Sequence, residues 1–151
     1  MKECTLCYVI RDGKVLLAKI KSGFSRGKIN APGGKIEPKE TPEEAASREF
    51  FEETGARPTG IEKAGLYRCF NGKDEIMIHV FTAKGLLGIP VETKEAAPLW
   101  VPLGEIPFDR MWAEDIHWFP YMLEGRKFAG SFTFSEDWKS ILSYEVREND
   151  G

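Results

Sequence analysis

The sequence predicts an α+β fold, with helices packed on a mostly mixed β-sheet. Three observations carry that reading: apolar strand-like runs before and after two helical stretches, two turn signals that join such runs into hairpins, and one helix with caps at both ends. A length of 151 residues is near the usual size of one domain, so residues 1–151 are expected to form a single unit around one core.

The elements follow in chain order. TLCYVI and KVLLAKI flank Asp12-Gly13, whose residues tolerate positive φ and so predict a hairpin. The stretch 22–34, SGFSRGKINAPGG, is rich in glycine and reads as a loop. Thr41 is a good N-cap, Pro42 suits the first helical position, and Glu44 completes a capping box; Gly55 is the expected stop, giving a helix over 42–54. GIEKAGLYRCF and EIMIHVFTAKG are strands joined by NGKD. APLWVPL is a short strand bounded by Pro98 and Pro102. FDRMWAEDIHWFPYMLEG reads as helix interrupted near Pro120, and KFAGSFTF with ILSYEVRE closes the sheet.

Charge excludes one class of function. The formal net charge is −3 and no cluster of five or six Lys/Arg exists, so the footprint of a duplex nucleic-acid binder is missing. No apolar run approaches the ~20 residues that span a bilayer, and a cytoplasmic protein without a membrane partner is expected. Three cysteines, an odd number, fit a reducing compartment. Cys4 and Cys7 resemble a metal or redox pair only in spacing: on a strand they point to opposite faces, which predicts plain packing.

The stretch SREFFEETG, residues 47–55, is harder to explain as a solvated face. Glu49, Glu52 and Glu53 fall within an arc of about 100° on one helix face, with Arg48 on its flank. Ala46 and Phe50 border the arc and Phe51 lies opposite, predicting a helix packed on more than one side. Acids at this spacing forgo the Glu-to-Lys pairs that stabilise an exposed helix. Hard oxygen ligands converging in this way suit Mg²⁺ or Mn²⁺.

Gly34, Glu40, Arg48, Glu49, Glu52, Glu53 and Gly55 fit the pattern G-x5-E-x7-R-E-U-x-E-E-x-G-U, where U is bulky and apolar. This resembles the Nudix box, and a chance match has odds on the order of 10⁻⁸ per window. Phe50 is larger and Ala56 smaller than usual at the variable positions. The resemblance implies an α/β/α sandwich and hydrolysis of a pyrophosphate bond in a nucleoside diphosphate derivative. It also implies that Glu49, Glu52 and Glu53 bind metal, that the Gly33–Gly34 backbone adds a carbonyl, and that Arg48 holds a glutamate in a bidentate pair. Glu53, Glu52 and the remote Glu95 are candidates for the general base, and Glu95 for an additional metal ligand.

The leaving group is read elsewhere. Trp112 followed by Glu114 and Asp115 offers an aromatic face with carboxylates, which suits a purine; Asn30 adds a donor and an acceptor, and Phe24 lies in the same loop. With GF, GGK, HVF, PVE, IPF, WFP and the terminal REND, the chain is similar to the oxidised-purine nucleoside triphosphatase (8-oxo-dGTPase) branch. That similarity implies a base pocket of Asn30, Trp112, Glu114 and Asp115, surrounded by Thr5, Phe24, Met77 and Trp118. Departures are Glu114 for a shorter acid, Ile20 for a pocket lysine, and a short 69–75 hairpin bearing Cys69 and Asn71 in place of aromatics. A monomer acting on a small nucleotide is expected. The rivals are a hydrolase of ADP-ribose, dinucleotides or unmodified nucleotides, and a catalytically silent nucleotide-binding module.

Overall fold

The structure is a computed structural model and describes residues 1–149; Asp150, in the REND tail, lies outside the described residues. In chain order the strands are β1 (Lys2–Arg11), β2 (Lys14–Ile20), β3 (Ile29–Asn30) and β4 (Gly33–Lys35), followed by helix α1 (Pro42–Thr54). Then come β5 (Arg57–Thr59), β6 (Glu62–Phe70), β7 (Glu75–Ala83), β8 (Gly85–Leu87) and β9 (Ala96–Pro102). Helix α2 (Asp115–Leu123) and strands β10 (Phe128–Phe134) and β11 (Ile141–Glu148) complete the chain.

The main sheet runs β11-β10-β6-β7-β1-β2-β3, with β4 added to β1 and β9 to β2. β1 pairs with β7, and β10 with β6, in parallel; the other pairings are antiparallel, so the sheet is mixed. Asp12 and Gly13 both take positive φ, 52° and 73°, as the predicted hairpin requires.

β1 is buried on both sides because each sheet face carries a helix. Cys7, Val9, Leu16, Phe81 and Ala83 meet Ala46 and Phe50 of α1. On the other face Leu6, Tyr8, Leu17, Val80 and Phe132 meet Trp118, Phe119 and Met122 of α2. This is the expected α/β/α sandwich. The free edge of β1 is divided: Cys4 to Leu6 pair with β4, while only Ile10 and Arg11 pair with β2. The sheet splays there, and the functional cleft opens at the split.

Four expectations need correction. The 22–34 loop contains β3 and the start of β4, both too short to carry an alternation signal. Pro98 lies inside β9 rather than at its limit; β9 pairs with β2 as an edge strand, where proline is tolerated. α2 begins only at Asp115 and continues past Pro120, which sits within the helix without ending it. Phe51 is 43% exposed, so α1 is packed on one side and not on two; Arg57 lies over the Phe51 ring at 4.3 Å. The three cysteines are free, Cys7 within the α1-side core and Cys4 in the cleft wall.

Candidate active site

α1 owes its position to its ends. The Thr41 hydroxyl accepts from the Glu44 N–H at 3.1 Å, and Glu44 Oε1 accepts from the Thr41 N–H at 2.9 Å. Gly55, at φ 78°, closes the helix by donating to the Phe51 carbonyl at 2.8 Å. Between these caps the acids face β4. Gly34 packs so closely that a β-carbon there would stand 2.6 Å from the Glu49 carboxyl. Gly33 donates its N–H to Glu53 Oε2 at 3.0 Å.

Arg48 is the hub of the outer acids. Its Nε and Nη2 hold Glu40 in a bidentate pair at 2.5 and 2.9 Å, and Nη1 reaches Glu49 at 2.8 Å and Glu52 at 3.3 Å. The expected bidentate partner is therefore Glu40, whose carboxyl the guanidinium holds down to about 2. Glu53 is in the opposite situation. Burial, opposed by the Gly33 amide and reinforced by the charges of Glu49, Glu95 and Glu52, pushes its carboxyl up to about 8. Glu49 is also raised, by burial first. Glu95 is exposed at the cleft wall. Its segment is tied down by Thr93, whose hydroxyl donates to the Glu53 carbonyl at 2.9 Å and accepts from the Glu95 N–H at 3.2 Å.

A divalent cation fits this donor set. The oxygens are hard, the charges of Glu52 and Glu95 add to the raised proton affinity of Glu49 and Glu53, and the Gly34 cradle keeps Glu49 against the backbone. No ready cage of three or more His, Cys, Asp or Glu exists among the described residues. Arg48 binds Glu49 and Glu52, while the Gly33 amide binds Glu53.

Beyond the acids a cleft of about 390 Å³ runs along the split in the sheet. Thr5, Phe24, Asn30, Gly33, Gly34, Glu49, Glu53, Glu95, Trp112 and Glu114 line it, so ten of the expected site residues converge on one space. Asn30 is buried, and its Oδ1 accepts from the Ala31 N–H at 2.9 Å. Trp112 donates from Nε1 to Ser25 Oγ at 2.8 Å, stacks on Phe24 with centroids 4.9 Å apart, and carries Lys28 Nζ at 4.6 Å from its ring.

At the far end Glu114 and Asp115 are buried to 4% and 1% exposure. Glu114 Oε2 accepts from the Tyr67 hydroxyl at 3.4 Å and from Cys69 Sγ at 3.8 Å. Asp115 Oδ1 accepts from Trp118 Nε1 at 3.1 Å. Glu114 Oε1 and Asp115 Oδ2 have no partner within the described residues. Burial pushes Glu114 up to about 7; burial, then the neighbouring Glu114 charge, raises Asp115 well above the carboxylate range. A buried carboxyl pair with two orphaned oxygens is built to meet a polar partner that enters the cleft.

Two expected pocket residues lie elsewhere. Met77 is on the opposite face of β7, beside Leu66 and Arg68, and its neighbours Ile76 and Ile78 face the cleft. Trp118 is fully buried in the α2-side core, stacked on Phe128 at 5.1 Å; it orients Asp115 and does not line the cleft. Glu52, Arg48 and Asp115 are not among the residues that line the cleft. The sequence reading omitted Tyr67, Phe134, Trp138 and Thr93. Strand alternation on β7 could have exchanged Met77 for Ile76 and Ile78; nothing local signals the others.

An acid-rich loop–helix–loop over the split edge of a mixed sheet defines a Nudix-type hydrolase, and the NUDIX domain family profile matches residues 2–122. The chain belongs to the Nudix family. It is similar to the oxidized purine nucleoside triphosphate hydrolase of Mus musculus, at 41% identity over 97% of this chain and 94% of the relative. The protein of the same description from Danio rerio is 44% identical over 88% of this chain and 86% of its own length. Among solved structures, a MutT protein from Bacillus halodurans superposes with a TM-score of 0.84 at 29% identity, covering 97% of both chains.

Proposed function

We propose that this chain is a divalent-metal-dependent nucleoside triphosphate pyrophosphohydrolase. It cleaves oxidised purine nucleotides, such as 8-oxo-dGTP and 2-hydroxy-dATP, into the nucleoside monophosphate and pyrophosphate, removing damaged precursors from the nucleotide pool. One observation carries the reading: a single cleft has the acid cluster at one end and the buried Glu114–Asp115 pair at the other. The two relatives described as oxidized purine nucleoside triphosphate hydrolases support the substrate class.

The geometry supports the following division of labour. Glu49, Glu52, Glu53 and Glu95, with a carbonyl of Gly33 or Gly34, would hold Mg²⁺, with Mn²⁺ an acceptable substitute. When bound, the ion neutralises phosphate oxygens and lowers the pKa of water. Arg48 keeps Glu49 and Glu52 extended and anchored to Glu40. Water attacks phosphorus, the anhydride bond between the α and β phosphates breaks, and a carboxylate takes the water's proton. Glu53 is best placed for that proton. Its Oε2 is fixed by Gly33, and Oε1 is left available. Glu52 and Glu95 are more exposed and less suited.

At the other end Trp112 and Phe24 stack on the purine while Asn30, Glu114 and Asp115 read its edge. A carboxyl that keeps its proton near neutral pH donates a hydrogen bond as well as accepting one. Thr5 closes the floor. The remaining parts of the reading are a monomer, one domain over 1–151 and a cytoplasmic location. The three free cysteines support the last, and no helix among the described residues is long and apolar enough to cross a membrane.

The test is incubation with Mg²⁺ and a panel of 8-oxo-dGTP, 2-hydroxy-dATP, dGTP, dATP and ADP-ribose, with products quantified. Pyrophosphate release fastest from the oxidised purines is expected. Comparable rates on dGTP and 8-oxo-dGTP would overturn the substrate class, and no pyrophosphate from any nucleotide would overturn the reaction.

A further inference from the structure

Three rings from three separate segments meet at the mouth of the cleft. Phe24 comes from the loop after β2, Trp112 from the segment before α2, and Trp138 from the turn between β10 and β11. Phe24 stacks on Trp112 at an interplanar angle of 14°, and Trp138 meets Phe24 edge-on, with centroids 6.0 Å apart at 86°. Trp138 itself lines the cleft.

The backbone at Trp138 is costly. Its N–H donates to the Ser135 carbonyl at 3.0 Å, closing a tight turn, and its φ is 64°. Glycine ordinarily takes the left-handed position that follows such a turn, and a bulky side chain there is an outlier. An outlier persists only when its surroundings over-determine it. Here Lys139 N–H donates to Asp137 Oδ1 at 3.0 Å, Ser140 N–H donates to Ser135 Oγ at 3.1 Å, and Phe134 packs on the indole at 5.3 Å.

One further tie comes from outside the turn. Asn71, buried in the β6–β7 hairpin, donates from Nδ2 to the Glu136 carbonyl at 2.9 Å. Its Oδ1 accepts from the Lys73 and Asp74 N–H groups at 3.0 and 2.6 Å. A side chain of the β6–β7 hairpin thus fastens the neighbouring turn that carries a tryptophan.

We propose that Trp138 is a specificity-determining residue of this cleft, supplying an aromatic wall against the purine, with Asn71 as the residue that positions its turn. The proposal rests on the purine reading above. Neither role depends on the acid cluster, so phosphate binding should be insensitive to both residues.

The experiment compares wild type with Trp138→Asn, Trp138→Phe and Asn71→Asp. Asparagine tolerates the left-handed conformation, so the turn survives the first change. Asn71→Asp keeps the capping acceptor and replaces the donor to Glu136 by an oxygen that repels that carbonyl. Equilibrium binding is measured for 8-oxo-dGMP, dGMP and dAMP, the tightest of them on wild type serving as the probe, and inhibition by inorganic tripolyphosphate is measured alongside. Trp138→Asn should weaken the purine probe about tenfold and leave tripolyphosphate unchanged, Trp138→Phe should recover most of the loss, and Asn71→Asp should weaken the purine probe less than Trp138→Asn. A purine affinity for Trp138→Asn within about twofold of wild type overturns the proposal, as does an equal loss for tripolyphosphate. Wild type that binds dGMP or dAMP better than 8-oxo-dGMP overturns the oxidised-purine reading instead, and wild type that binds no purine overturns both.

Discussion

Glu53 and Glu114 are carboxyls placed where water cannot fully solvate their charge, for different ends. For Glu53 the burial is offset by one backbone N–H. Glu53→Gln keeps the volume and the acceptor for Gly33 but removes the charge and the proton-accepting oxygen. The fold should persist, with an unchanged circular dichroism spectrum, while turnover falls by about a hundredfold or more. Glu114 gives a pH prediction. Its folded-state value is raised to about 7, so as pH rises above the ordinary carboxyl range the folded chain holds a proton that the unfolded chain has released. Stability from this group is therefore full at the acid end and declines as pH climbs toward about 7. Glu114→Gln removes the decline: its Tm should gain on wild type between about pH 5 and about pH 8, and a flat difference across that range would refute the assignment.

At the scale of elements, α1 shows how local rules set up a site that local rules do not complete. Its capping box and left-handed glycine fix where the helix starts and stops, and hence which residues face β4. Thr41→Ala should cost about 1 kcal/mol of stability in a urea titration and leave KM unchanged, because the cap lies away from the cleft. Gly34→Ala tests the other side of the same contact. The new β-carbon would press on the Glu49 carboxyl, so turnover should fall steeply while Tm changes little, the obstructed neighbour being the end of a flexible side chain. α2 is less dependent on its caps. Glu114 makes no side-chain cap hydrogen bond there, and the helix is held by Trp118 and Phe119 against the sheet.

Across the whole molecule, two apolar cores lie on opposite faces of one sheet and share β1. Truncating a buried ring on either face should therefore weaken the entire fold. Phe50→Ala on the α1 side and Trp118→Ala on the α2 side should each cost about 3–5 kcal/mol, read as a shifted single transition that fluorescence and circular dichroism report together. Separate transitions from the two probes would argue against one cooperative unit. Trp118→Ala should also loosen purine binding, since Trp118 donates to Asp115, whereas Phe50→Ala should not.

The sequence by itself determined the reaction end of this protein. Glu49, Glu52, Glu53 and Arg48 lie within one helix whose period and caps are local properties, so the helix face they share could be read from spacing. Asp12-Gly13 and the closing strand pair were legible for the same reason. The recognition end was legible only in part. Trp112 and Trp118 have the same local standing, two rings near two acids, yet one stacks at the mouth of the cleft and the other is sealed in the core. Met77 was named where Ile76 and Ile78 line the wall, because a slip of one residue along a strand exchanges its faces. Trp138 reaches the cleft through a strained turn pinned from a distant hairpin by Asn71. Helix and hairpin contacts join residues a few positions apart, whereas the cleft is walled by strands that meet only after the sheet has formed, and only tertiary structure decides which side chains arrive there.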